Sequence, residues 1–234
     1  ESILNQTYIN FEFIIINDGS TDNSLMIIEN YRVKDNRIVV ISQENKGLIA
    51  SLNEGIRIAN GSYIARMDAD DISLPGRFEE QIGFMEENSL DICGTSIQLF
   101  NEKQEYSIWN YPKEDKDIKF LLMFMSTFAH PSVLMKKEIF NALKYQEFKH
   151  AEDYKLWTDI ALSGFRMGNL NKVLLKYRYH SEQTSKKNNY EQRTRAFEIS
   201  QTYLNAINDE TQNIALKSHK RLLNAFKLFF CINT

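Results

Sequence analysis

Three short apolar runs, each closed by a polar turn and followed by a segment with helical spacing, fall within the first ninety residues of this chain. Residues 11–17 (FEFIIIN) run into Asp18-Gly19-Ser20, residues 37–42 (RIVVIS) into a polar loop, and residues 62–67 (SYIARM) into Asp68-Ala69-Asp70-Asp71. Between them, residues 22–32 place Leu25, Ile28 and Tyr31 on one helical face, with Thr21 or Asp22 able to cap it. Residues 46–59 carry the stripe Ile49, Leu52, Ile56 and Ala59, and a third helix follows Pro75 with Phe78, Ile82 and Met85 on its apolar side. Strand and helix alternating at this density predict an α/β fold: a mostly parallel sheet covered by helices on both faces.

Beyond residue 90 the pattern loosens. Strands are expected at 91–100, 105–109 and 132–136, a closing pair of strands at 165–170 and 173–179, and helices at 116–125 and 152–163. From residue 188 the composition turns long-chained and helical. No Gly-, Ser- or Pro-rich linker divides the chain. The economical organisation is one domain, 1–187, with halves 1–89 and 90–187, and a helical tail over 188–234.

Composition narrows the function classes. Hydrophobic residues make up 43% and charged residues 25%, which excludes wholesale disorder. Two cysteines among 234 residues are too few for a disulfide framework or a zinc site. No apolar run reaches the ~20 residues that span a bilayer, and no signal-peptide pattern opens the sequence, so a cytoplasmic location is expected. From Lys172 onward there are 11 Lys and Arg against five acids, leaving the acidic excess to the rest of a chain whose net charge is −3. With no interleaved aromatic motif or Cys/His finger, this basic end does not point to nucleic acid. Residues 213–234 combine Lys217, Lys220, Arg221 and Lys227 with Leu222, Leu223, Phe226 and Phe229. Such a stripe fits packing against the domain or a second subunit, or peripheral association at the inner face of the cell membrane.

The chemistry sits where the strands end. In open α/β sheets ligands bind just past the carboxyl ends of the strands. Two of the three early strands end in acids there: Asp18 with Asp22, and Asp68 with Asp70 and Asp71. No glycine-rich dinucleotide or P-loop fingerprint follows any strand. Phosphate handling would then fall to acid-held metal, and closely spaced carboxylates suit Mg²⁺ or Mn²⁺. Any one of these aspartates alone would be a turn or cap residue; two clusters on successive sheet edges are not explained that way.

The ordered segments IIINDGSTDNS, ENKGLIASLNEGIRIANGSYIARMDADD, PGRFEEQ, HPSVLMKK and AEDYKLW resemble family 2 glycosyltransferases of the GT-A fold, over residues 11–180. The resemblance implies an inverting, metal-dependent enzyme that moves a sugar from a nucleotide-sugar, a UDP-sugar first of all, to a hydroxyl of a bacterial surface-polysaccharide or lipid-linked acceptor. It implies that Asp18 contacts the base and Asp68 the ribose, with Asp22 also at the nucleotide and Lys46, on the loop beneath it, meeting a phosphate. Asp70 would hold the metal, with Asp71 as the alternative register. His180 would be a further metal ligand, and Arg178 with Lys186 and Lys187 would meet the diphosphate. His130 would shape the acceptor side. Asp153 is the implied base and Glu152 the residue that positions the acceptor or orients the base; the same pair would also complement a helix dipole. The family opens with a strand of the type VSVIIPVYN, whereas ESILNQT resembles the helix after it. A gap or an open sheet edge is therefore expected, inviting homodimerisation or weak nucleotide binding. Rival readings are a nucleotide-sugar-binding protein without turnover and a sugar-1-phosphate nucleotidyltransferase, whose Gly-rich, Arg-bearing loop is not found here.

Overall fold

In the computed structural model, which describes residues 1–179 and 189–208, the first half folds much as its periodicities require. β1 (Phe13–Asp18) crosses over through α1 (Ser24–Arg32) to β2 (Ile38–Gln43), and the two strands pair parallel from Phe13↔Ile38 to Asp18↔Gln43. α2 (Leu48–Ile58) follows, turning Ile49, Leu52 and Ile56 onto the main core as its stripe predicts. After β3 (Tyr63–Ala65) and β4 (Ile72–Ser73) comes α3 (Arg77–Asn88). Residues 2–5 form a turn closed by the Asn5 amide on the Glu1 carbonyl (3.2 Å), not a helix.

The second half adds β5 (Ile92–Phe100), β6 (Glu105–Trp109), α4 (Asp115–Leu121), β7 (Leu134–Lys136), α5 (Glu152–Leu162), β8 (Met167–Arg178) and α6 (Asn189–Ile207). Its sheet has the order β3-β7-β5-β8-β4, with β6 on β5, while β1 and β2 form a separate ladder. The sheet is mixed. β1–β2 and β5–β8 are parallel, and the remaining ladders are antiparallel. The loop from β5 to β6, residues 101–104, is too short for a parallel crossover.

The expected pair of closing strands is one strand. Register along β5–β8 jumps from Thr95↔Leu170 to Ser96↔Val173, so Asn171 and Lys172 bulge out of β8 without ending it. Ser96 Oγ donates to Asn171 Oδ1 (3.2 Å) and Lys172 pairs with Glu80 (2.6 Å), which gives both polar residues partners outside the ladder.

The core lies between this sheet and α5, where Tyr154, Leu156, Trp157 and Ile160 are buried. α6 joins the same core through Ile199 and Tyr203, and the Tyr203 hydroxyl donates to the Lys119 carbonyl (3.2 Å). The expected membrane-facing stretch 213–234 lies outside the described residues, among which no helix is long and apolar enough to cross a membrane.

α3 does more than supply an apolar stripe. Arg77 is fully buried: its Nε donates to Gln81 Oε1 (2.9 Å) and its Nη2 to the carbonyls of Arg66 (2.8 Å) and Val133 (3.2 Å). Gln81 donates in turn to the carbonyls of Cys93 (2.8 Å) and Ser132 (2.9 Å). The PGRFEEQ segment thus drives two polar side chains, one helical turn apart, into the ends of β3, β5 and β7.

Candidate active site

β1 delivers Asp18 to a sheet edge, where the loop before α2 closes over it. The carboxylate accepts from the Lys46 amide (2.9 Å), the Gly47 amide (2.8 Å) and Gln43 Nε2 (2.8 Å). These bonds, the Lys46 amide first, hold its pKa below the ordinary value. The loop comes so near that a Cβ on Gly19, at φ +75°, would stand 2.7 Å from the Asn45 nitrogen. Asp18 therefore anchors the loop of Asn45, Lys46 and Gly47, and it is the Lys46 backbone that meets it. Asp22 accepts from the Ser24 amide (2.9 Å) at the start of α1, and Ser24 holds its carboxyl below the ordinary value.

The segment after β3 gathers the second cluster. Asp68, Asp70 and Asp71 each present a carboxylate oxygen within 4.8 Å of the others. Arg178, near the end of β8, braces the segment: its amide donates to Asp71 Oδ1 (2.8 Å) and its Nε to the Asp70 carbonyl (2.7 Å). Asp70 is exposed, whereas Asp71 is 8% exposed and its Oδ2 is buried without a hydrogen-bond partner. Burial pushes the Asp71 carboxyl up to about 7. An orphaned carboxylate oxygen beside two more carboxylates fits a divalent ion, which would satisfy it. His180 and the Lys186-Lys187 pair lie outside the described residues.

Asp153 stands in the first turn of α5, beside the buried Glu152. Burial first, and the Glu152 charge second, push its carboxyl up to about 6. Arg66, which the sequence pattern does not single out, faces both acidic groups. It is 9% exposed, ion-paired with Asp68, and its charge lowers the pKa of Asp153 and of Asp71. Its Nε has no hydrogen-bond partner. The Arg66 charge also reaches His130 and Tyr145, whose Nε2 and hydroxyl are 2.7 Å apart; Asn53 fixes the Tyr145 backbone through two bonds, 2.9 and 3.0 Å. Burial, then Arg66, holds His130 well below its ordinary pKa, so it is neutral at pH 7. His130 also packs edge-on against Trp157, at 5.8 Å between ring centroids, which fixes the wall on that side.

An α/β fold with an acid cluster past one strand and a separate carboxyl raised toward neutrality makes a site suited to transferase chemistry on a phosphate-bearing donor. The chain belongs to glycosyl transferase family 2, whose model matches residues 1–144. An uncharacterised glycosyltransferase of Haemophilus influenzae is 36% identical over 224 residues, 88% of this chain and 69% of its own length. The O-antigen biosynthesis glycosyltransferase WbnJ of Escherichia coli is 39% identical over 193 residues, 80% of this chain and 75% of its own. In three dimensions the chain resembles S. aureus TarS 1-349 solved in complex with UDP-GlcNAc. The TM-score is 0.64 at 21% identity, and the match covers 78% of this chain and 54% of that one, which speaks for the fold.

Proposed function

We propose that this chain transfers a sugar, with inversion, from a UDP-sugar to a hydroxyl of a surface glycan or its lipid-linked precursor. The reading is carried by one buried cation, Arg66, which is ion-paired with Asp68 of a three-carboxylate cluster and whose charge also acts on the raised carboxyl of Asp153. Family membership supports glycosyl transfer. The UDP-GlcNAc complex of TarS supports the donor, and the O-antigen role in the name of WbnJ supports the acceptor class.

Asp70 and Asp71, with Asp68 beside them, would hold Mn²⁺ or Mg²⁺. The ion would supply Lewis-acid relief of the charge that builds on the departing diphosphate. The other steps belong to the chain. Asp18 shapes the nucleotide pocket by holding the loop at Lys46, and Arg178 keeps the acid-bearing segment in place. Asp153 takes the proton from the acceptor hydroxyl as its oxygen bonds to the anomeric carbon. The bond from that carbon to the diphosphate breaks on the opposite face, and UDP leaves. A base with a pKa near 6 is ionised at pH 7 and remains basic enough to accept the proton. Neutral His130, held by the buried Tyr145 hydroxyl, shapes the acceptor side without adding charge.

Thermal-shift measurements test the donor half. At about 100 Kd of UDP the stabilisation should be about 2.7 kcal/mol with Mn²⁺ present. It should vanish with EDTA and in Asp70→Ala. An equal shift with EDTA would refute the metal assignment, and a product that keeps the donor's anomeric configuration would refute inversion.

A further inference from the structure

β6 is exposed along its length, yet one of its faces continues into the site. Trp109 stands opposite Ile97 of β5, and residues directly opposite in a ladder share a face. On that face Ile97, Leu99, Ala129 and Leu175 form a small buried cluster. The next residue turns away: Asn110 Oδ1 accepts from the hydroxyl of Ser96 (2.7 Å), the alternate residue of β5. Tyr111 turns back and packs on the cluster, as does Tyr177 of β8, whose register partner is Leu99. Trp109 and Tyr111 are therefore neighbours on one face, roughly 7 Å apart at the rise of a strand.

Both ends of the cluster touch the chemistry. Ala129 precedes His130 in the chain, and Tyr177 precedes Arg178, which braces the acid-bearing segment. Burial first, then Tyr177 and the Asp153 charge, raise the Tyr111 hydroxyl above its ordinary pKa; for Tyr177 burial comes first, then Asp68 and Asp71. The charge of the base thus reaches one tyrosine and that of the acid cluster the other. Among the described residues neither hydroxyl has a hydrogen-bond partner, and neither is sealed from solvent. Trp109, 49% exposed, carries the wall outward from this pair.

The face of an aromatic ring attracts polarised C–H groups, which the flat side of a pyranose presents while its rim carries hydroxyls. A wall of aromatic faces with free hydroxyls at its inner end matches both. An alkyl chain would cover the rings and leave the tyrosine hydroxyls unmatched. A single sugar beside Asp153 would use Tyr111 and leave Trp109 bare.

We propose that Trp109 and Tyr111 form a two-ring platform for the acceptor, which is then a glycan of at least two pyranose units, its outer ring on Trp109 and its reacting ring on Tyr111 beside Asp153. This rests on the transferase reading above and names the acceptor class for it.

The chain has two tryptophans and Trp157 is fully buried, so acrylamide quenching of the intrinsic fluorescence reads Trp109. The probes are lactose, cellobiose and N,N′-diacetylchitobiose, each set against its own monosaccharides, with the whole chain and no sugar nucleotide. At least one disaccharide should protect Trp109 saturably, at a concentration about tenfold lower than its monosaccharides need. Trp109→Ala and Tyr111→Ala should each weaken that disaccharide about tenfold by calorimetry. No protection by any disaccharide, or equal protection by the monosaccharides, would overturn the proposal. So would a dimer in light scattering that shields Trp109 without sugar, which would give this face to a second copy. Should Tyr111→Ala fail to fold by circular dichroism, Trp109→Ala at its exposed position decides. UDP with Mn²⁺ is added to separate samples. A UDP shift without sugar protection overturns the platform alone, whereas protection without a UDP shift upholds the platform and counts against the transferase reading.

Discussion

Replacing Asp153 with Asn should make the protein more stable and far less active, with both effects depending on pH. Burial and Glu152 raise the Asp153 carboxyl from 3.8 to about 6, so the folded state holds its proton over a range in which the unfolded chain has released it. Stability is thus fully favoured below pH 4 and is lost as pH rises through 6, where the charge must stand in the folded site. That rise of about two pH units is worth roughly 2–3 kcal/mol at 1.36 kcal/mol each. Asn carries no charge at any pH. The variant's stability relative to wild type should therefore climb by roughly 2–3 kcal/mol between pH 4 and pH 7, a melting difference on the order of 5–10 °C for a chain of this size. Urea melts at pH 4, 5, 6, 7 and 8, read as wild type against variant, cancel every group that does not interact with Asp153. Transfer should fall about 10²–10⁴-fold while the UDP-induced thermal shift stays near wild type. A stability difference that is flat from pH 4 to 8 would refute the raised carboxyl, and an active variant would refute its role as base.

Arg66→Met removes the cation that lowers the Asp153 pKa, so the acid limb of the pH–rate profile should move above 6. An unmoved limb would show that Arg66 does not act on the base. Gln81→Leu leaves Arg77 Nε and the carbonyls of Cys93 and Ser132 without their bonds. At about 1–3 kcal/mol for each unsatisfied group, urea melts should show a loss of about 3 kcal/mol or more. Gly19→Ala forces a side chain into left-handed backbone against the Asn45 nitrogen. It should cost about 1–2 kcal/mol in the same melts and weaken UDP binding by calorimetry, because the loop that Asp18 holds must shift.

The acid clusters were legible because two local signals coincide: a β-branched run that stops, and carboxylates just past the stop. The stripe of α2 was legible for the same reason, its period being a property of the segment alone. Arg66 was not. In SYIARM it reads as the polar end of a strand, and only the pairing of residue 66 with Val133 brings its side chain inward beside Asp68. Asp18 was found but its partners were not, because the glycine-dependent approach of residues 45–47 leaves no periodic trace. The two strands expected near the end are one, because Asn171 and Lys172 look like a turn and act as a bulge. Tyr145 lies in an irregular stretch, and its place beside His130 depends on Asn53, 92 residues away.

The Arg77–Gln81 brace has a consequence for folding. Its acceptors are main-chain oxygens, so it recognises where the strands sit and not which side chains they carry. Successive carbonyls along a strand point in opposite directions, and a slip of one residue would swing the oxygens of Arg66 or Val133 away from the guanidinium. A buried cation without acceptors would then raise the energy of the slipped form alone. With only three ladder pairs between β3 and β7, the hydrophobic pattern discriminates weakly between registers. Arg77 acts there as a proofreader of strand alignment, leaving the correct pairing intact and penalising its nearest competitors.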